Sequence, residues 1–126
     1  MQVQPLTPVE FELMEILWEK GASTVHEVLA ALPKERKLAY TSVSTILRIL
    51  QQKKIVSAEK QGRGHHYIPL LTKADFTAHS VQKVVKQAFA GRSADLVAYL
   101  VNENELSKTE LDAVAELLKA KKQELK

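Results

Sequence analysis

A chain of 126 residues with 45% hydrophobic content can bury one ordinary core, or a small core with an appendage, and its composition argues against disorder. The absence of cysteine removes disulfides, thiolate nucleophiles and thiolate metal sites together. No apolar run reaches the length of a membrane span, and Met1 to Glu12 lacks the charged-then-apolar order of a secretion signal, so a cytoplasmic location is expected. The formal net charge is only +3, but it is unevenly spread. Between Lys34 and His66, eight basic residues stand against Glu35 and Glu59, a net of +6, while Glu10, Glu12, Glu15 and Glu19 crowd the segment before them. A basic middle beside an acidic shoulder is the footprint of a polyanion partner, or equally a solubilising surface.

Thr7-Pro8-Val9-Glu10 is a helix start, with Thr7 as cap, Pro8 at the first helical position and Glu10 closing a capping box. Val9, Leu13, Ile16 and Leu17 make one apolar stripe and Phe11, Met14 and Trp18 a second. This helix is therefore expected at the domain centre, ending at Gly21. Thr24-Val25-His26-Glu27 is a second capping box, followed by Val25, Val28, Leu29 and Leu32 at helical spacing and by Pro33 as a stop. After a basic loop, Tyr40-Thr41-Ser42 supplies the next cap, and a third helix runs to about Lys54. Ile55 to Gln61 reads as a strand, Gly62-Arg63-Gly64 as a tight turn and His65 to Leu71 as the returning strand.

Three helices followed by a hairpin is the order of a winged helix. The expected fold class is mainly α: a winged helix-turn-helix over residues 1–72, then a helical dimerisation arm over 73–126. In that arm a helix to about Ala90 carries Val81, Val84, Val85 and Phe89. A short one from Ser93 carries Leu96 and Leu100, and a last one, capped by Ser107, carries Leu111, Val114 and Leu118. Three short amphipathic helices bury little alone, so these residues are expected at a homodimer interface, the alternative being that they fold back on the first domain.

The third helix carries the functional signal. Val43, Ile46, Leu47 and Leu50 are expected to face inward. At 100° per residue the opposite face holds Thr41, Thr45, Arg48 and Gln52, flanked by Ser42 and Ser44, with Tyr40 at its head. Four hydroxyl residues in the first two turns give up helix propensity without adding charge, which points to contact rather than a plain solvated face. Short hydroxyls allow close approach to the floor of a major groove, threonine methyls can touch thymine methyls, and Arg48 can reach guanine or phosphate. Gly62 and Gly64 permit positive φ and leave Arg63 at the tip of the hairpin, suited to a minor-groove or phosphate contact. His65, beside it, is placed for a phosphate.

Candidate DNA-contacting residues are thus Tyr40, Thr41, Ser42, Ser44, Thr45, Arg48, Arg63 and His65. His65 and His66 point to opposite faces of one strand, so no metal site is expected. No cofactor loop, nucleophile-base pair or paired carboxylates argue for an enzyme. The competing reading is a winged-helix module whose third helix packs on a protein and never touches DNA.

The runs Leu6 to Trp18, Val25-His-Glu-Val, Ala39 to Arg48 and Gly62-Arg-Gly-His-His-Tyr67 resemble the penicillinase-repressor family, the BlaI/MecI/CopY group of bacterial regulators. The resemblance spans essentially the whole chain and is most specific through Tyr67. It implies a winged-helix dimer that binds an inverted-repeat operator, reads bases with the third helix and blocks transcription. Ile49 and Lys54 stand where the family often has a basic residue and a glycine. The β-lactam-responsive members are inactivated when a partner membrane receptor protease cuts an Asn-Phe bond. No Asn-Phe exists here, and Tyr99-Leu100 occupies the corresponding stretch. The copper-responsive members bind metal through C-terminal cysteines, which this chain lacks.

Overall fold

The computed structural model describes residues 3–125, and its packing divides the chain between Val81 and Gln82 into two compact units. In the first, α1 (Pro8–Lys20), α2 (Val25–Ala31) and α3 (Tyr40–Gln52) precede a two-stranded antiparallel hairpin of β1 (Val56–Gln61) and β2 (Gly64–Pro69). This is the winged helix-turn-helix order expected from the sequence.

Both expected capping boxes form. Thr7 Oγ1 accepts from the Glu10 amide at 3.2 Å while Glu10 Oε1 accepts from the Thr7 amide at 2.9 Å, and Thr24 and Glu27 repeat the exchange at 3.1 and 2.9 Å. Each box satisfies helix-start amides that would otherwise lack partners. The third helix differs from expectation. Its N-cap is Ala39, with no side-chain bond, so the hydroxyls of Thr41 and Ser42 lie within the helix rather than at its cap.

The core sits between the three helices and the hairpin. Leu13, Met14 and Leu17 of α1, Val28 of α2, and Val43, Leu47 and Leu50 of α3 are fully buried, closed below by Ile55, Val56 and Tyr67. Of the second stripe of α1, Met14 joins this core while Phe11 and Trp18 meet the first turn of α4 (Lys73–Phe89). Phe76 packs against Trp18 and Phe11, with ring centroids at 5.6 and 6.3 Å, and Trp18 Nε1 donates to the Leu71 carbonyl at 2.8 Å. That packing keeps the start of α4 in the first unit, so the division of the chain falls within this helix.

The hairpin pairs Val56 with Pro69 at its base and Gln61 with Gly64 at its tip. Gly62 adopts φ 62°, the first central position of a tight two-residue turn. Only this glycine of the pair needs positive φ; Gly64 does not. Ser23 and Tyr67 exchange backbone bonds at 3.1 and 2.8 Å, pinning β2 to the segment between α1 and α2.

In the second unit α5 (Ser93–Asn102) and α6 (Lys108–Glu124) follow the end of α4, and Ser107 forms the expected capping box with Glu110. Phe89 and Tyr99 pack edge to face at 6.0 Å. Val85 is buried, while Val84, Val97, Leu111, Leu117 and Leu118 are exposed.

Candidate nucleic-acid interface

The amphipathicity of α3 sets the geometry of the site. Val43, Leu47 and Leu50 are inaccessible to solvent, so the opposite side of the helix must face outward, and Tyr40, Thr41, Ser42, Thr45, Arg48 and Gln52 are all exposed. Ser44 is half-buried. Ile46, expected in the core with the other three, is only half-buried. At 100° per residue it lies roughly 65° off the core-facing direction, at the edge of the apolar stripe.

The outward side divides into two flanks. On one, Thr41, Ser42, Thr45 and Ile46 line an open hollow. On the other, Ser44, Arg48 and Gln51 face the wing, where Ala58, His65 and Tyr67 complete a groove of about 460 Å³. The fold therefore brings Arg48 of the helix and His65 of the hairpin to one groove, although 17 residues separate them in sequence. Arg63 stands apart and exposed at the hairpin tip. Tyr40 heads the helix with its ring 4.6 Å from that of His26, a contact from α2 that periodicity alone does not reveal. Gln51 and Tyr67 are further groove residues that the sequence reading missed. Gln51 falls between the apolar stripe and the outward face, and Tyr67 reads as a plain strand residue.

The electrostatics are narrower than a charge count implies. Arg36 Nε donates to Glu12 at 3.0 Å, and Lys53 Nζ reaches Glu10 at 2.6 Å and the Pro5 carbonyl at 3.1 Å. Lys73 pairs with Glu15 at 2.9 Å. The acidic shoulder of α1 thus takes up two of the eight central cations. Lys34, Lys37, Arg48, Lys54, Lys60 and Arg63 remain exposed around α3 and the wing.

Burial pushes the Glu10 carboxyl up, but the Lys53 ammonium and the Thr7 amide and hydroxyl outweigh it and hold the group below the ordinary glutamate range. The Thr24 amide and hydroxyl hold Glu27 low in the same way. His66 lies with Nε2 3.9 Å from Glu27, on the face of β2 opposite His65. Among the described residues no group of three histidine, aspartate or glutamate side chains could hold a metal ion, and no helix is long and apolar enough to cross a membrane.

A family model described as Penicillinase repressor matches residues 6–120. The chain belongs to the penicillinase repressor family. Its relatives include the Transcriptional regulator BlaI of Mycobacterium tuberculosis, 33% identical over 98 residues, which cover 75% of this chain and 71% of the relative. They also include the Methicillin resistance regulatory protein MecI of Mammaliicoccus sciuri, 20% identical over 116 residues, covering 92% of this chain and 94% of that one. The solved DNA-binding domain of the repressor BlaI is similar in fold, with a TM-score of 0.52 and 25% identity over 60% of this chain and 93% of that domain.

The penicillinase repressor family is one of DNA-binding transcriptional repressors and not of enzymes, in keeping with the expectation drawn from the residues. Within this family member the residues expected at a dimer interface are variously placed. Val81, Val84, Leu111 and Leu118 are exposed, Phe89, Leu96, Leu100 and Val114 are half-buried, and Val85 is covered.

Proposed function

We propose that this protein is a cytoplasmic, dimeric repressor that binds an inverted-repeat operator, with α3 in the major groove and the wing on the adjoining backbone. The observation that carries the reading is the outward side of α3. It is free of acids, rich in short hydroxyls, exposed, and ringed by exposed cations on the wing and neighbouring loops. Hydroxyls and an arginine are the donors that meet base edges and phosphates, and the short side chains that follow Tyr40 in the first turns let the helix sit close to the groove floor.

Arg48 and His65 bring nitrogen donors to one groove, which supports a phosphate of the strand passing there between helix and wing. The exposed apolar residues of α5 and α6, Val97, Leu111, Leu117 and Leu118, support pairing with a second copy, and a twofold dimer matches a two-half-site operator. A receptor protease cutting at Asn-Phe is no part of this proposal, because the sequence holds no such bond.

Selection of bound duplexes from a random pool, followed by sequencing, tests the reading. A pseudo-palindrome with half-sites about one or more helical turns apart is expected. The affinity of the enriched duplex should fall steeply with salt, the logarithmic slope being about −0.9 per phosphate neutralised. A pool that returns no enriched sequence refutes operator binding, and enrichment of isolated half-sites by a monomer refutes the dimer.

A further inference from the structure

Ile46 is the one residue of the α3 stripe that does not settle into the core. It packs on the core with one side and with the other lines the hollow shared with Thr41, Ser42 and Thr45, of about 400 Å³. These four residues form the flank of α3 turned away from the wing. Nothing in this flank can fork onto a base edge, because arginine, asparagine, glutamine and lysine are all absent from it. Bidentate hydrogen bonding, the usual way of telling purines apart in the major groove, is therefore closed to it. What it offers instead is a branched aliphatic side chain and two threonine methyl groups between short hydroxyls. One feature of a base pair complements an apolar notch in the major groove, the 5-methyl group of thymine.

We infer that Ile46, with the methyl groups of Thr41 and Thr45, forms a notch that selects thymine by its 5-methyl group. The inference rests on α3 entering the major groove and assigns Ile46 a specificity role beyond its packing role. It also divides the helix: the flank toward the wing, with Ser44, Arg48 and Gln51, holds the backbone, and the flank away from it reads methyl groups.

The probe is the duplex enriched from the random pool, with each thymidine replaced singly by deoxyuridine, which pairs identically and lacks only the methyl group. Burying one methyl group corresponds to about a fourfold change in dissociation constant. At one thymine per half-site the replacement should weaken binding about fourfold, and elsewhere it should change nothing. In Ile46→Ala, which leaves only the two threonine methyl groups, the same replacement should have a much smaller effect, so thymine and uracil duplexes bind nearly alike even if both bind less tightly. Ile46→Val, which keeps a branched side chain in the packing, should retain part of the discrimination and guards against a variant that folds poorly.

Equal binding of every uracil-substituted duplex by the unaltered protein overturns the notch while leaving operator binding intact. A thymine preference that persists in full in folded Ile46→Ala assigns the methyl contact to another residue and overturns it too. Failure to enrich any duplex instead overturns the DNA reading on which the inference stands.

Discussion

Replacing Lys54 by glycine should make this protein more stable, against the usual expectation for a new glycine. The C-terminus of α3 closes as a Schellman motif. The Lys54 amide donates to the Gln51 carbonyl at 3.0 Å, the Ile55 amide donates to the Leu50 carbonyl at 3.0 Å, and the buried side chains of Ile55 and Leu50 make the apolar contact that goes with it. The motif requires a left-handed residue after the cap, and here Lys54 fills that position at φ 63°. A residue with a Cβ bears about 1–2 kcal/mol there, whereas glycine bears none. Glycine loses about 0.5–1 kcal/mol more backbone entropy on folding. The balance is a net gain of about 0.5–1 kcal/mol, or about 2–4 °C in Tm for a chain of this size.

Lys54 is exposed, so little packing is lost with its side chain. Lys54→Ala is the necessary partner variant, since it removes the charge but keeps the Cβ. Urea unfolding at fixed protomer concentration should place Lys54→Gly above both the parent and Lys54→Ala. A glycine variant no more stable than the alanine one would show that the left-handed conformation carries no cost here, and the reasoning fails.

Three other outcomes are expected. Glu10 titrates below the ordinary glutamate value of about 4.3, so its ionised form contributes stability that is full above that value and is lost as pH falls toward the lower folded-state pKa. Glu10→Gln should flatten this acid limb in Tm measured against pH, and an unchanged limb would remove the Lys53 pair from the account. Arg63→Ala should weaken all duplexes about equally and reduce the logarithmic salt slope by about 1; an unchanged slope in titrations with nonspecific DNA contradicts a phosphate contact at the wing tip. Leu118→Glu, which places a charge on an exposed apolar site of α6, should shift sedimentation toward monomer while the first unit keeps its fold. A dimer of undiminished strength would put the interface elsewhere.

The elements of this fold were legible because their signals are local. Thr7 with Glu10 and Thr24 with Glu27 lie three residues apart, and the spacing of Val43, Leu47 and Leu50 fixes which side of α3 is buried. What escaped depends on partners far along the chain. Glu10 reads as the acid of a capping box and no more, yet Lys53, 43 residues away, lets it be buried. Arg36 counts toward a basic patch until Glu12 is found beside it, 24 residues away. Ile46 matches the apolar spacing, but spacing cannot say where the stripe ends. Within the candidate interface, the meeting of Arg48 with His65 follows from how the hairpin folds over the helix, which no periodicity encodes. The positive φ of Lys54 was foreshadowed only by the family's preference for glycine there.

The bridge between Ser23 and Tyr67 gives the wing the mechanics of a cantilever. The hairpin is clamped where Tyr67 sinks into the core opposite Ala58 and His66 lies beside Glu27, and the pairs Lys60 with His65 and Gln61 with Gly64 overhang it. A ribbon of two strands with no third neighbour is weakly held, so the overhang can flex about a fixed root. On the operator proposed above, Arg63 at its end would follow variations in backbone path from one half-site to the next without disturbing the register set by α3.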